Sequence, residues 1–410
     1  MTQKIDVIII GGGAGGFFTA INLAENNPDL KIVILERSSE ILSKVRISGG
    51  GRCNITHAQF IPKELTYNYP RGEKELLGPF HTFMTGDTVD WFEKRGVPLK
   101  IEEDGRMFPE SNSSQTIIDC FINETQKLGI EVLKNHSVKK IQKENEVWEV
   151  ETEKGNFTSD KLVIATGSNT KIWKLLEQLG HTIVPPVPSL FTFNIQDSRI
   201  KDLPGIATQA SIKVISANNK IKLESEGALL ITHWGVSGPA ILKLSAWGAI
   251  DLEKVNYQFK LKVNWLLDIL TEEAFENLKE IKEINSKQSL YKYAQLGVPK
   301  RLWQSLVNIS GITETQKWAE ITNKQLQELA NQLTQSEFQV NGKSTFKEEF
   351  VTAGGVDLKE INFKRFESKL HENLFFAGEV LNIDAITGGF NFQNAWTGGY
   401  IVAKSISENS

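Results

Sequence analysis

The stretch IDVIIIGGGAGGFFTAINLAENNPDLKIVILE, residues 5–36, restricts the fold more than any other part of the chain. Residues 5–10 are an apolar run closed by glycines, the pattern of a buried parallel strand. Gly11, Gly13 and Gly16 fit GxGxxG. Without Cβ atoms they permit a tight turn, close approach of backbone to a pyrophosphate, and close packing of helix on strand. A helix starting near Ala14 would aim its partially positive end at phosphates. Asn26-Asn27-Pro28-Asp29 stops that helix, residues 31–35 form a second strand, and Glu36 follows Gly16 by 20 residues. A carboxylate there accepts hydrogen bonds from ribose hydroxyls. An ordinary βαβ unit could use the same glycines, but the full order of strand, glycines, helix, strand and acid predicts a dinucleotide site.

The 410 residues allow two or three domains. A formal net charge of −4 gives no general attraction to nucleic acid or anionic lipid, although a local basic site can hide in that average. Cys53 and Cys120 form no CxxC, which fits a reducing compartment. No stretch approaches a membrane span, and Asp6 before a short apolar run does not suit a signal peptide, so a cytoplasmic protein without membrane contact is expected. No CxxC, HExxH or clustered histidines suggest a metal.

After Glu36 a long loop carries Gly49, Gly50 and Gly51 between Lys44, Arg46 and Arg52, a backbone able to wrap an anionic ligand. Residues 161–165 are apolar enough to rejoin the sheet and end at Thr166-Gly167. Pro185-Pro186-Val187-Pro188 marks an extended exit. The organisation expected is an α/β chain. Its Rossmann-type domain (1–190 and 341–410) is interrupted by a β-barrel-like domain (191–263) and a helical insert (264–340). Near the carboxy terminus, residues 373–377 read as another buried strand, Gly388-Gly389 as a second close-approach turn, and 394–407 as a helix. Gly398-Gly399 inside that helix costs roughly 1 kcal/mol per glycine against alanine, so tight packing is expected there. A nucleotide motif at one end and a second glycine turn at the other suit an extended FAD better than NAD. Glu379 could then bind a ribitol hydroxyl, and the helix start near Gly389 could stabilise charge at flavin N1/O2.

The stretches GGGAGG (11–16), SGGGRCN (48–54), VIATG (163–167), GALLITHWGVSGPAIL (227–242), TAGGV (352–356) and ESKLHENLFFAGEVLNIDAITGGFNFQNAWTGGY (367–400) resemble the BaiN-like, or aminoacetone-oxidase-like, family of FAD-dependent oxidoreductases. The resemblance implies that Gly11, Gly13, Ala14 and Gly16 meet the pyrophosphate, and Glu36, with Arg37 beside it, the adenosine ribose. It implies that Lys44, Gly50, Gly51, Arg52, Cys53 and Asn54 line the pyrophosphate and ribitol. Val138 would lie at the adenine, Thr166 and Gly167 over the cofactor, and Gly378, Glu379, Gly389, Asn391, Gln393 and Asn394 toward the flavin.

Cys53 stands where two-dinucleotide disulfide reductases carry their first redox cysteine, but Ala58 holds the place of the second. A second GxGxxG for NAD(P)H is also missing, so any NAD(P)H would bind transiently or oxygen would take the electrons. The function expected is hydride transfer at flavin N5 with a small organic substrate, either oxidation of an amine or aminoketone or reduction of an activated double bond. A flavin-dependent tRNA-modifying protein is the alternative. His233, at a strand end, is the acid/base candidate, and Cys53 a second catalytic candidate; both have plain structural readings.

Overall fold

The apolar runs at 5–10, 32–35 and 161–164 become neighbouring parallel strands because side chains buried on both faces leave no polar edge to solvate. The structure is a computed structural model and describes residues 3–215, 221–345 and 351–408. Strand Gln3–Ile10 lies between Ile32–Leu35 and Gly155–Ile164, with Ile8 level with both Val33 and Leu162. Beyond Ile32–Leu35 comes Glu131–Leu133. On the other side Leu374–Phe376 runs parallel to Gly155–Ile164, so the late apolar segment re-enters the first sheet.

The chain forms two compact units, Met1–Val187 with Lys347–Ser410, and Pro188–Phe346. In the first, helix Ala14–Asn26 packs on helix Phe390–Ser407. Gly399 makes this contact close: a Cβ there would stand 3.0 Å from Thr19 Oγ1 and 3.2 Å from the Gly15 carbonyl. Phe18, Trp91, Phe92, Phe121 and Trp396 fill the space below, with Phe18 and Trp396 centroids 5.1 Å apart. The closing helix begins four residues before the expected Asn394, with Gly389 as its cap.

In the second unit, strands Thr192–Ile195, Gly235–Ser237, Glu224–Ile231, Ala207–Ile215, Gln258–Asn264 and Ser336–Ser344 close a barrel in that order. The last strand begins inside the stretch read as helical, 264–340, and runs past its end. It alternates buried and exposed residues and bonds to both Thr192–Ile195 and Gln258–Asn264, so the barrel closes through it. Helices Thr271–Ile284, Lys300–Ile309 and Asn323–Thr334 share one apolar core with the barrel, including Leu261, Leu278, Leu306 and Leu326. The proline-rich exit is a strand, Ile183–Ser189, paired with Val351–Val356. Among the described residues no helix is long and apolar enough to cross a membrane.

Candidate functional site

Strand Gln3–Ile10 turns into helix Ala14–Asn26 through a space that only glycine fits. A Cβ on Gly16 would sit 2.0 Å from the Gly11 carbonyl oxygen, and one on Gly11 (φ +116°) 2.4 Å from the Ala165 oxygen. The helix start is therefore drawn against the sheet edge. Gly13 caps it without any side-chain bond, and nothing lies within 4 Å of its missing Cβ. Gly13 and Ala14 are half-buried, so their amides border an opening. Glu36 stands beside them. Its Oε2 accepts from Gly12 N at 2.8 Å, and its Oε1 from Ser38 N and Ser38 Oγ, each at 2.8 Å. The carboxylate is held in place before any ribose arrives. Arg37 is exposed, and Val138 opens strand Val138–Glu144 two residues after His136, whose N–H donates to the Glu36 carbonyl.

The glycine-rich segment leaves the same turn, with Leu42 N donating to the Gly12 carbonyl at 2.8 Å. Helix Ser43–Gly51 is broken at Ser48, Gly49 and Gly50. Lys44 pairs with Glu379, whose carboxylate faces Gly167. Gly50 and Gly51 are exposed, with nothing within 4 Å of their missing Cβ atoms. Arg52 is already engaged: it bonds Glu102 at 2.6 Å and lies 3.9 Å over the Phe108 ring. Cys53 is fully buried, and burial pushes its thiol up to about 12. Of the two readings of Cys53, catalytic candidate and plain structural residue, these surroundings suit a thiol packed as a small apolar side chain.

The second turn brings Gly388 and Gly389 to the strand Thr56–His57: a Cβ on Gly389 (φ +94°) would meet the Thr56 carbonyl at 2.7 Å. Two of the expected flavin contacts are occupied internally. Gln393 Oε1 accepts from Thr56 Oγ1 at 2.6 Å and Thr88 Oγ1 at 3.0 Å, while its Nε2 donates to Thr397. Asn391 bonds both backbone groups of Ala385. Asn394 differs: it is buried, and neither amide atom has a partner. Gly378 packs on Ala395 beside it.

Four other residues enter this region unforeseen. Nδ1 of His57 lies 3.2 Å from the Gly388 carbonyl oxygen, which fixes a proton on Nδ1, and burial holds the imidazole below its usual range. Arg71 pairs with the fully buried Asp384, anchoring the segment that leads to Gly388. Asn382, in that segment, has a sealed Oδ1 without a partner. A charged Asp384 within apolar surroundings was the one signal available in sequence, since a buried carboxylate needs a cation.

Orphaned polar atoms cost about 1–3 kcal/mol each. Those of Asn54, Thr166, Asn382 and Asn394 lie on the segments that follow Gly51, strand Gly155–Ile164 and strand Leu374–Phe376, and on the closing helix. With Glu36 and an open glycine cradle, this donor and acceptor set fits FAD. His233 belongs to the second unit, where it is exposed in the turn between Glu224–Ile231 and Gly235–Ser237. Among the described residues no group of three histidine, cysteine or acidic side chains could hold a metal.

A sequence profile described as the HI0933-like protein Rossmann domain matches residues 5–405. A ribosomal RNA dihydrouridine synthase of Haemophilus influenzae is 28% identical over 422 residues, covering 99% of this chain and 100% of that protein. A 3-dehydro-bile acid delta(4,6)-reductase of Clostridium scindens is 25% identical over 414 residues, 98% of each chain. The solved structure of a 3-ketosteroid-delta4-(5alpha)-dehydrogenase from Rhodococcus jostii RHA1 shares the fold, with a TM-score of 0.52 at 12% identity, across 99% of this chain and 97% of that one.

Proposed function

The chain belongs to the HI0933-like Rossmann family of FAD-dependent oxidoreductases, and we propose that it reduces a carbon–carbon double bond conjugated to a carbonyl, with the uracil ring of RNA as its substrate. One observation carries this reading: two relatives similar over their whole length are named for one reaction type. Forming dihydrouridine adds two hydrogens across the uracil C5–C6 bond, which is conjugated to the C4 carbonyl. A delta(4,6)-reductase of a 3-oxo steroid acts on a double bond conjugated to the C3 carbonyl. In each case hydride adds away from the carbonyl and a proton joins the conjugated chain. RNA is preferred because the synthase matches this chain at the higher identity.

Reduced FAD, when bound, supplies the hydride, and NAD(P)H is the proposed electron source. The chain's own groups hold and polarise. The amides at Gly13 and Ala14 would bind the pyrophosphate, and Glu36, fixed by Gly12 and Ser38, the ribose. Asn54, Thr166, Asn382 and Asn394 offer the unsatisfied atoms for the ribitol and ring edge. The positive end of helix Phe390–Ser407 would favour negative charge on the ring. Cys53, sealed from solvent, is given a packing role in this reading.

The second reading, a small enone substrate, is favoured by the bile acid reductase. Both are separated by one experiment. The purified protein, reduced anaerobically with NADH or NADPH, is incubated with an unmodified ribosomal RNA transcript or with a 3-oxo-Δ4,6 steroid. A gain of two hydrogens on uridine, read by nucleoside mass spectrometry, supports the RNA reading. Reduction of the steroid alone selects the second. Failure to bind FAD refutes both.

A further inference from the structure

Between Glu283 and Glu314 the chain carries no acidic residue, although acids outnumber bases in the whole protein, 50 to 46. Four cations fall in this interval: Lys287, Lys292, Lys300 and Arg301. All four are exposed, and among the described residues none forms an ion pair. Elsewhere in the same unit four exposed lysines are matched with acids, Lys213 with Glu224, Lys254 with Asp251, Lys260 with Glu337 and Lys279 with Glu276, while Lys201, Lys243 and Lys324 form no ion pair among the described residues. A solubilising surface would be expected to mix the signs as those pairs do.

The interval is folded compactly. Trp303, one turn into helix Lys300–Ile309, donates its indole N–H to the Leu290 carbonyl at 2.8 Å. This brings the segment of Lys287 and Lys292 back to the helix that Lys300 and Arg301 open. Arg301 also donates to the Asp202 carbonyl and is thereby oriented. Gln288 and Ser286 carbonyls accept from Trp318 and Ala319, so the loop is pinned on its other side. Tyr293, 56% exposed, follows Lys292 directly in the chain. Glu314, the acid that closes this interval, bonds Tyr291.

We propose that this basic surface, with Tyr293, binds the phosphate backbone and an unpaired base of the RNA substrate. The inference rests on the RNA reading of the function. Unpaired cations release counterions from RNA, and an exposed aromatic ring stacks on bases whatever their sequence. The surface therefore supplies affinity without choosing the uridine, which is left to the flavin site.

The test measures binding of the FAD-loaded protein to a fluorescein-labelled, unmodified ribosomal RNA transcript across a range of KCl. Two triple variants with the same change of net charge are compared: K287A/K292A/K300A, and K213A/K260A/K279A, whose lysines are paired. Circular dichroism and bound-flavin absorbance verify that both are folded. The first variant should bind at least about tenfold more weakly at 100 mM KCl, with the salt slope reduced by about 2 to 3, while the second keeps most of the affinity. Tyr293→Ala should weaken binding without changing the slope. Equal loss in both triple variants, or loss in neither, overturns the assignment of this surface and leaves the RNA reading standing. If the wild-type protein neither binds the transcript nor forms dihydrouridine, the RNA reading falls and takes the inference with it.

Discussion

At the scale of the residue, Asn394 and Cys53 show how burial separates groups that look equally functional in sequence. Both are sealed from solvent, but the thiol is content as a small apolar group whereas the amide lacks every bond it could make. An amide in that condition is open to a partner other than protein, and FAD is the group this site fits. Replacing Asn394 by Leu removes the orphan without leaving a hole. Urea unfolding of the FAD-free variant should therefore show stability unchanged or raised, while flavin fluorescence titration shows affinity lowered about tenfold or more. Lower stability of the FAD-free variant would mean that the amide serves the protein itself. Gln393, one residue earlier, is predicted by the same logic to matter for folding, because three threonines already satisfy it.

At the scale of the element, the sheet is tied to its surroundings by a chain of titratable contacts. His181, just after helix Thr170–Gln178, lies with Nδ1 2.8 Å from Glu360 Oε2 and Nε2 3.1 Å from Ser368 Oγ. These join the helix to the segment entering strand Glu367–Ser368. The order resembles a hydrolytic triad, but histidine and serine are buried, and Ser368 Oγ also accepts from Leu370 and His371 N–H groups, so the role is structural. Burial lowers the His181 pKa, with Glu360 opposing, and His57 is lowered too. A histidine with a lowered folded pKa binds fewer protons than in the unfolded chain, so its stability contribution is lost as pH falls below about 6.5. Glu360, lowered by its bonds to Thr182 and His181 against the opposing effect of burial, loses its contribution in the same direction at lower pH. The urea midpoint should decline from pH 7 to pH 5, and His181→Gln should flatten that decline. An unchanged slope in the variant would place the acid sensitivity elsewhere.

At the scale of the molecule, the two units divide the work differently. The candidate cofactor residues all belong to Met1–Val187 with Lys347–Ser410, while His233 and the basic surface belong to Pro188–Phe346. Hydrogen exchange of FAD-free and FAD-loaded protein should show protection concentrated in residues 11–16, 36–54 and 378–394; uniform protection would contradict a site confined to the first unit. What was legible in sequence follows from local physics. A continuous apolar run, glycines too close for Cβ atoms, and an acid at a fixed separation specify strand, turn and helix without distant partners, which is why residues 5–36 were readable. The glycines Gly398-Gly399 signalled close packing because they are costly in any helix. The sequence alone thus determined a Rossmann sheet, its glycine cradle, Glu36, and a barrel with helices beyond. Only tertiary structure decided the rest. It engaged Arg52 with Glu102, buried the Cys53 thiol, paired Arg71 with Asp384 across 313 positions of chain, and drew strand Ser336–Ser344 into the barrel. Those outcomes depend on which groups meet after folding, since desolvation and hydrogen bonding act through space and leave no period in the chain.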